Sequence, residues 1–282
     1  MFLGEYNIVK LSLIIPTWNA TPYLEATLTT LREQTYPIHQ IVVVDDKSDL
    51  GYAREQEEVC KRFDAEYIYF DAPEKLKRRS ACNQLGLQVA DGDIVGFCCV
   101  DMVYYSDYIE ILMSVLEQYE NMVLFHNTRG LPYFMLGTPI LLVRKVVELI
   151  HSGEILKQIR TDNESKWYTY EEKWWSTIFD IHPTLYAWGC DGNAFLRTKY
   201  AKTHTLWDEK FVGYGHHCTD FAYSCLINGL SCVVLKDVIG LSVDHDKPSI
   251  IQKGTKESWQ YFQEKWGKAN YPKSVPLIKR GE

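Results

Sequence analysis

Ile14-Ile15-Pro16-Thr17-Trp18-Asn19 and, downstream, Val42-Val43-Val44-Asp45-Asp46 decide the fold of this chain. Each opens as an apolar, β-branched run and stops abruptly, the first at a proline and the second at two acids. Short apolar runs without polar alternation are the pattern of strands buried on both faces of a parallel sheet. Leu11–Ile15 reads as the first strand and Ile41–Val44 as the second. The segment between them predicts a helix. Thr21 is placed to cap it, Pro22 suits its first position, and Leu24, Leu28 and Leu31 lie along one face.

The alternation continues outward. Tyr67–Phe70 predicts a third strand, and Ser80–Val89 a second helix with Ala81, Leu85 and Val89 in register. Ile94–Cys99 predicts a fourth strand, followed by a helix from about Ser106 that turns Ile109, Leu112, Leu116 and Tyr119 inward. Strands alternating with helices give an α/β fold, a mostly parallel sheet with helices on both faces. Ligands bind such sheets beyond the carboxyl ends of the strands, where Asp45, Asp46 and Asp101 stand. From about Gly130 to Tyr186 the alternation stops, with a helix expected over Arg144–Arg160 and an aromatic-rich stretch around Trp167–Trp175. No Gly/Ser-rich linker sets this stretch apart, so it reads as an elaboration of the same domain. Trp188–Leu196, a helix over Asp220–Asn228 closed by Gly229, and a strand over Cys232–Leu235 return the chain to the sheet. An amphipathic helix over Glu257–Gly267 carries Trp259, Phe262 and Trp266.

Composition narrows the function classes. At 282 residues and 46% hydrophobic content the chain can bury one large α/β domain or two small ones. The net charge of −7 argues against non-specific nucleic-acid binding, which depends on excess Lys and Arg. No apolar run approaches the roughly 18–20 residues that cross a bilayer, and Met1–Lys10 lacks the order of a signal peptide. A cytoplasmic protein is expected, with peripheral membrane attachment through Lys75-Leu76-Lys77-Arg78-Arg79 as the alternative. Eight cysteines without a CxxC pair fit buried free thiols better than zinc or disulfides. Nineteen Tyr and eight Trp suit either an aromatic core or the mixed faces of sugars.

Two constellations carry chemistry. Asp45, after a buried strand, can accept hydrogen bonds from a base or ribose, with Pro16, Thr17 and Asn19 as the opposite wall; the alternative is a plain turn in Asp45–Asp49. No GxGxxG follows the first strand, which counts against a dinucleotide oxidoreductase. A nucleotidyltransferase would want a basic glycine-rich loop there, and Thr17–Thr21 has neither feature. In the second half, Trp188-Gly189-Cys190-Asp191-Gly192-Asn193, Phe211-Val212-Gly213-Tyr214-Gly215 and Thr219-Asp220-Phe221 follow one another, with Asp244-His245 behind.

In order and spacing these motifs resemble glycosyltransferase family two, the nucleotide-diphospho-sugar transferases of GT-A fold, over roughly Lys10 to Gly267. The resemblance implies one domain over 1–282: a nucleotide-binding half at about 10–125, an acceptor half at about 126–250, and a C-terminal helix at about 255–267. It implies an inverting transfer from a nucleotide-diphosphate sugar, UDP expected, to a glycan or lipid-linked acceptor. Arg79 and Asn83 join Pro16, Thr17, Asn19 and Asp45 in nucleotide binding, and Asp191, Gly192 and Asn193 face the donor sugar. The family's metal-binding Asp-x-Asp reads Cys99-Val100-Asp101 here, so Asp101 and His245 become the ligands of Mn²⁺ or Mg²⁺, an imidazole leaning toward Mn²⁺. The family's acidic base motif reads His216-His217-Cys218-Thr219-Asp220, leaving Asp220 as the expected base and His217 as its rival. The loss of acids at Cys99, His217 and Cys218 favours the alternative of a non-catalytic nucleotide- or glycan-binding protein.

Overall fold

The computed structural model describes residues 8–71, 78–131, 193–204, 206–213, 215–243, 255–267 and 277–278. Its first part is the expected alternation: β1 (Leu11–Thr17), α1 (Thr21–Arg32), β2 (Gln40–Asp45), α2 (Leu50–Arg62), β3 (Glu66–Tyr69), α3 (Arg79–Val89) and β4 (Ile94–Phe97). The short β5 (Met102–Val103), α4 (Tyr108–Leu116) and β6 (Met122–Leu131) follow. Beyond the undescribed stretch come β7 (Ala194–Arg197), α5 (Thr198–His204), α6 (His217–Ile227), β8 (Ser231–Val243), α7 (Thr255–Trp266) and β9 (Leu277–Ile278).

These strands form one nine-stranded sheet in the order β3-β2-β1-β4-β7-β6-β8-β5, with β9 on β8. β3, β2, β1 and β4 run parallel. β7 is antiparallel to both β4 and β6, so it joins the parallel half to the rest. β6 and β8 are parallel again, with a register shift between His126 and Asn127.

The period of two in β1 sorts the core into two layers. Leu11, Leu13 and Ile15 face Leu24, Leu28, Leu31, Ile109, Leu112 and Leu116 of α1 and α4. Ile14 faces the opposite way, toward Leu87 of α3 and Phe221, Ala222 and Cys225 of α6. α3 lies so close to β1 that a Cβ on Gly86 would stand 2.5 Å from Ile14. Seven cysteines are described, all buried and free. No helix among the described residues is long and apolar enough to cross a membrane.

Several local expectations shift. Thr21 is the first residue of α1 rather than its cap, and Ala20 takes that place without a side-chain bond. On α3 the inward face runs through Cys82, Asn83 and Leu87, while Val89 is exposed. The helix there is set by close packing of Gly86 on β1, which leaves Leu85 half-buried against Val42 and Val44 and turns Val89 outward. Tyr119 is exposed because α4 ends at Leu116. α2, β5 and β6 stand outside the elements expected from the sequence. The helix expected over Arg144–Arg160 lies outside the described residues.

Candidate active site

The two loops at the carboxyl ends of β1 and β2 are fastened by one buried amide. Gln56 of α2 accepts the Thr17 hydroxyl at 2.5 Å and the Ala20 N–H at 3.2 Å on its Oε1. Its Nε2 donates to Asp45 Oδ2 at 2.8 Å and Ser48 Oγ at 3.0 Å. All four hydrogen-bonding positions of the amide are thus used. Asp45 also accepts the Ser48 N–H at 2.8 Å and the Tyr67 hydroxyl. Its carboxylate is buried and consumed inside the protein, so Asp45 builds the wall. Asn19 sits in the left-handed region (φ 48). Its N–H donates to Ser48 Oγ at 2.8 Å, and its side chain exchanges bonds with Asp49 at 3.0 and 2.9 Å. Pro16 lies in the sheet opposite Val44. Asp46, next to Asp45, accepts the Arg78 N–H at 2.7 Å and so ties the start of α3 to the end of β2.

Arg79 opens α3 and points its guanidinium at the end of β4, where Nη2 donates to Cys99 Sγ at 2.9 Å. Asn193 approaches the same residue from β7: its Oδ1 accepts the Cys99 N–H at 3.1 Å and its Nδ2 lies 3.6 Å from the sulfur. The Asp101 loop is held from α1, whose Thr27 hydroxyl meets the Val100 and Met102 carbonyls at 2.7 and 2.6 Å. Asp101 and Arg79 feel one another's charge. As a donor set for Mg²⁺ or Mn²⁺, which favour oxygen ligands, these residues are short: Cys99 replaces a carboxylate and faces a guanidinium. Among the described residues no group of three His, Cys, Asp or Glu could hold a metal ion. His245, Asp191 and Gly192 lie outside the described residues.

The far wall is the start of α6. Gly213 (φ 92) and Gly215 (φ 96) bend the chain in conformations open to glycine, and His216 (φ 59) shares the left-handed region. His217 Nδ1 lies 3.2 Å from the Gly215 carbonyl. A ring nitrogen facing a carbonyl must carry the proton, which leaves Nε2 with its lone pair. That Nε2 is buried and finds no hydrogen-bond partner. Burial, aided by the Arg79 charge, pushes the His217 pKa down to about 3. On α3, Asn83 shares the face that carries Leu87, one turn on. Both its amide atoms, and the Ser80 hydroxyl, are buried without a partner. Buried polar atoms are nearly always paired. A cluster of orphans beside Arg79 marks a place built for a polar ligand.

Asp220, the expected base, is only 1% exposed, and its carboxylate is engaged by α7. Trp266 Nε1 donates to Oδ1 at 2.6 Å, and Lys265 Nζ lies 2.9 Å from Oδ1 and 3.1 Å from Oδ2. Burial outweighs these partners and raises its pKa to about 6. The structure therefore brings Asp45, Thr17 and Asn19 together at one wall, and Arg79, Asn83, Asp101, Asn193 and His217 at the other. Asp220 stands behind them, facing α7. Gln56, Thr27 and Lys265 were missed by sequence reasoning. The Gln56 signal would have been a polar residue on the inward face of an unrecognised helix.

Residues 12–132 match the model of glycosyl transferase family 2. The glycosyltransferase GlyA of Streptococcus pneumoniae is 30% identical over 134 residues, covering 44% of this chain and 18% of GlyA. Chondroitin synthase of Escherichia coli is 22% identical over 84% of this chain and 35% of its own length. The chain thus spans a fifth to about a third of these curated relatives. Among solved structures, S. aureus TarS 1-349 in complex with UDP-GlcNAc superposes with a TM-score of 0.62 at 16% identity, over 94% of this chain and 68% of that one.

Proposed function

We propose that this chain, whose residues 12–132 belong to glycosyl transferase family 2 and whose fold is GT-A, moves a glycosyl unit from a nucleoside-diphosphate sugar, UDP-linked, onto a hydroxyl acceptor with inversion. The observation that carries this reading is the buried orphan set of His217 Nε2, Asn83 and Ser80 beside the Arg79 guanidinium. A hydroxyl-rich ligand would supply the hydrogen bonds which those atoms lack.

In this reading the Thr17–Asn19 and Asp45–Asp49 loops hold the nucleoside, their shape fixed by Gln56. Arg79 meets the diphosphate, where negative charge builds as the bond from the anomeric carbon to the phosphate oxygen breaks. The acceptor hydroxyl gives its proton to His217 Nε2, which becomes more basic as the diphosphate meets the Arg79 charge that helps hold its pKa down, and attacks the anomeric carbon from the opposite side. We place the base at His217 rather than Asp220, because its Nε2 keeps a lone pair without a partner while the Asp220 carboxylate is held by Lys265 and Trp266. A divalent cation would be held by Asp101 with His245, neutralising diphosphate charge. Asp191, Gly192 and Asn193 would meet the donor sugar. A polysaccharide is the acceptor class we favour, because a chondroitin synthase is among the relatives.

Calorimetry with UDP and GDP on the parent chain and on Arg79→Met tests the donor side. UDP should bind, and Arg79→Met should weaken it about ten- to a hundredfold, the loss expected for a charged hydrogen-bond donor. Absence of UDP binding, or parent affinity in the variant, would overturn the reading.

A further inference from the structure

α7 grips both sides of the residue placed as base. Upstream of His217, the Ser258 hydroxyl donates to the Val212 carbonyl at 3.1 Å. The His216 ring lies 4.7 Å from Trp259 and 5.7 Å from Phe262. Those two aromatics bear on a non-glycine residue in the left-handed region, a conformation that surrounding structure must impose. Downstream, Lys265 and Trp266 hold the Asp220 carboxylate. Lys265 also reaches Asp208 Oδ2 at 2.8 Å, and the Tyr261 hydroxyl donates to the same oxygen at 2.8 Å. The segment from Asp208 to Asp220 is thus fastened to one face of α7 at four places.

We infer that α7 is a latch whose Lys265 and Trp266 are positioning residues: through Asp220 they fix the first turn of α6, and with it the direction of His217 Nε2. The inference rests on the proposed role of His217. The surviving acid of the motif is then no base. It is the anchor by which a helix some forty residues downstream sets the base in place. Asp220 suits this part, since it sits in the first turn of α6, where a carboxylate also meets the positive end of the helix dipole. Among the described residues its titratable and charged neighbours are Lys265, Asp208, Tyr261 and Cys225, with Trp266 donating its N–H, so a single cation serves two carboxylates within the latch.

Three variants test it: Lys265→Met, Trp266→Phe and Lys265→Arg. Trp266→Phe keeps an aromatic ring against Tyr223, 4.5 Å away, and removes the N–H together with the five-membered part of the indole. Misplacing a reacting group costs about a hundredfold per ångström. The first two variants should therefore lose about ten- to a hundredfold in kcat, keep the donor KM and UDP affinity within about twofold, and Lys265→Arg should recover most of the loss. Nitrogen-15 spectra of the His217 ring provide a readout independent of turnover. The parent ring should stay in the neutral Nδ1–H form through pH 5, whereas in Lys265→Met it should titrate nearer its ordinary value of about 6.5. Parent-like kcat with a parent-like ring in both variants would overturn the inference, as would a donor KM that rises in step with the loss. A parent without turnover would sink the proposed activity, while the His217 titration would still decide the latch.

Discussion

Gln56→Leu removes the amide that fastens the nucleotide-side loops while keeping most of its volume. Two donors, the Thr17 hydroxyl and the Ala20 N–H, lose their acceptor. Asp45 and Ser48 each lose one donated bond but keep others. A buried donor left without a partner costs about 1–3 kcal/mol, so the two together amount to about 2–6 kcal/mol, with the weakened acceptors adding to the lower figure. We take about 4 kcal/mol as the working value. That is a large share of a typical stability of about 5–15 kcal/mol, so the variant should fold but melt early. With a urea slope of about 3 kcal/mol per molar, the midpoint should fall by about 1 M. Gln118→Leu is the control, because its exposed side chain makes a single bond to the Ser114 carbonyl. It should change stability by less than about 0.5 kcal/mol. UDP affinity should fall in Gln56→Leu and hold in the control. A midpoint within about 0.2 M of the parent would refute the claim that this amide organises the wall.

Stability should rise with pH between about 3 and 6.5. His217 and His216, lowered to about 3 and about 4 by burial, stay neutral in the fold while the unfolded chain binds their protons below about 6.5, so stability is lost as pH falls through that window. Asp220, raised to about 6 by burial, works the other way between about 3.9 and 6, since there the folded chain keeps the proton that the unfolded chain has lost. Two histidines against one acid leave a net rise, and urea midpoints against pH should flatten in His217→Gln; an unchanged slope would count against a buried neutral ring. For the cation, Asp101→Asn should abolish any strengthening of UDP binding by Mn²⁺ seen in calorimetry, and full affinity in excess chelator would reject a metal at that position.

The fold was legible where burial is two-sided. Leu11–Ile15 and Ile41–Val44 sit in β1 and β2 because nothing but a parallel sheet covers both faces of such runs. β6 and β8 were harder: β8 spans Ser231–Val243 and includes Lys236 and Asp237, charges that hid a long strand behind a short apolar core. α2 was not read although its buried positions Ala53, Gln56, Val59 and Cys60 recur at helical spacing, because they are few, include a glutamine and stand among charged residues. At the site, the acids at strand ends stood in the expected places, but which of them faces inward depends on bonds across three elements. Asp45 is consumed by Gln56 and Tyr67, and Asp220 by Lys265 and Trp266, residues 11 to 46 positions away. No local pattern encodes such partners. His217 read as a mere replacement for a lost acid, and only its Nδ1 contact with Gly215 shows which nitrogen is left to act.

The central claim is a nucleotide-sugar reaction run at the buried unpartnered groups of α3 and α6, Ser80, Asn83 and His217. Its most direct test is UDP release from a panel of UDP-sugars, followed with Mn²⁺ present, for the parent chain and His217→Asn side by side. The account predicts that at least one UDP-sugar yields UDP with the parent, and that His217→Asn reduces the rate by about a hundredfold or more while still binding UDP, the scale of a lost general base. Release at the parent rate in His217→Asn, or no release from any sugar by a chain that also fails to bind UDP, would contradict it.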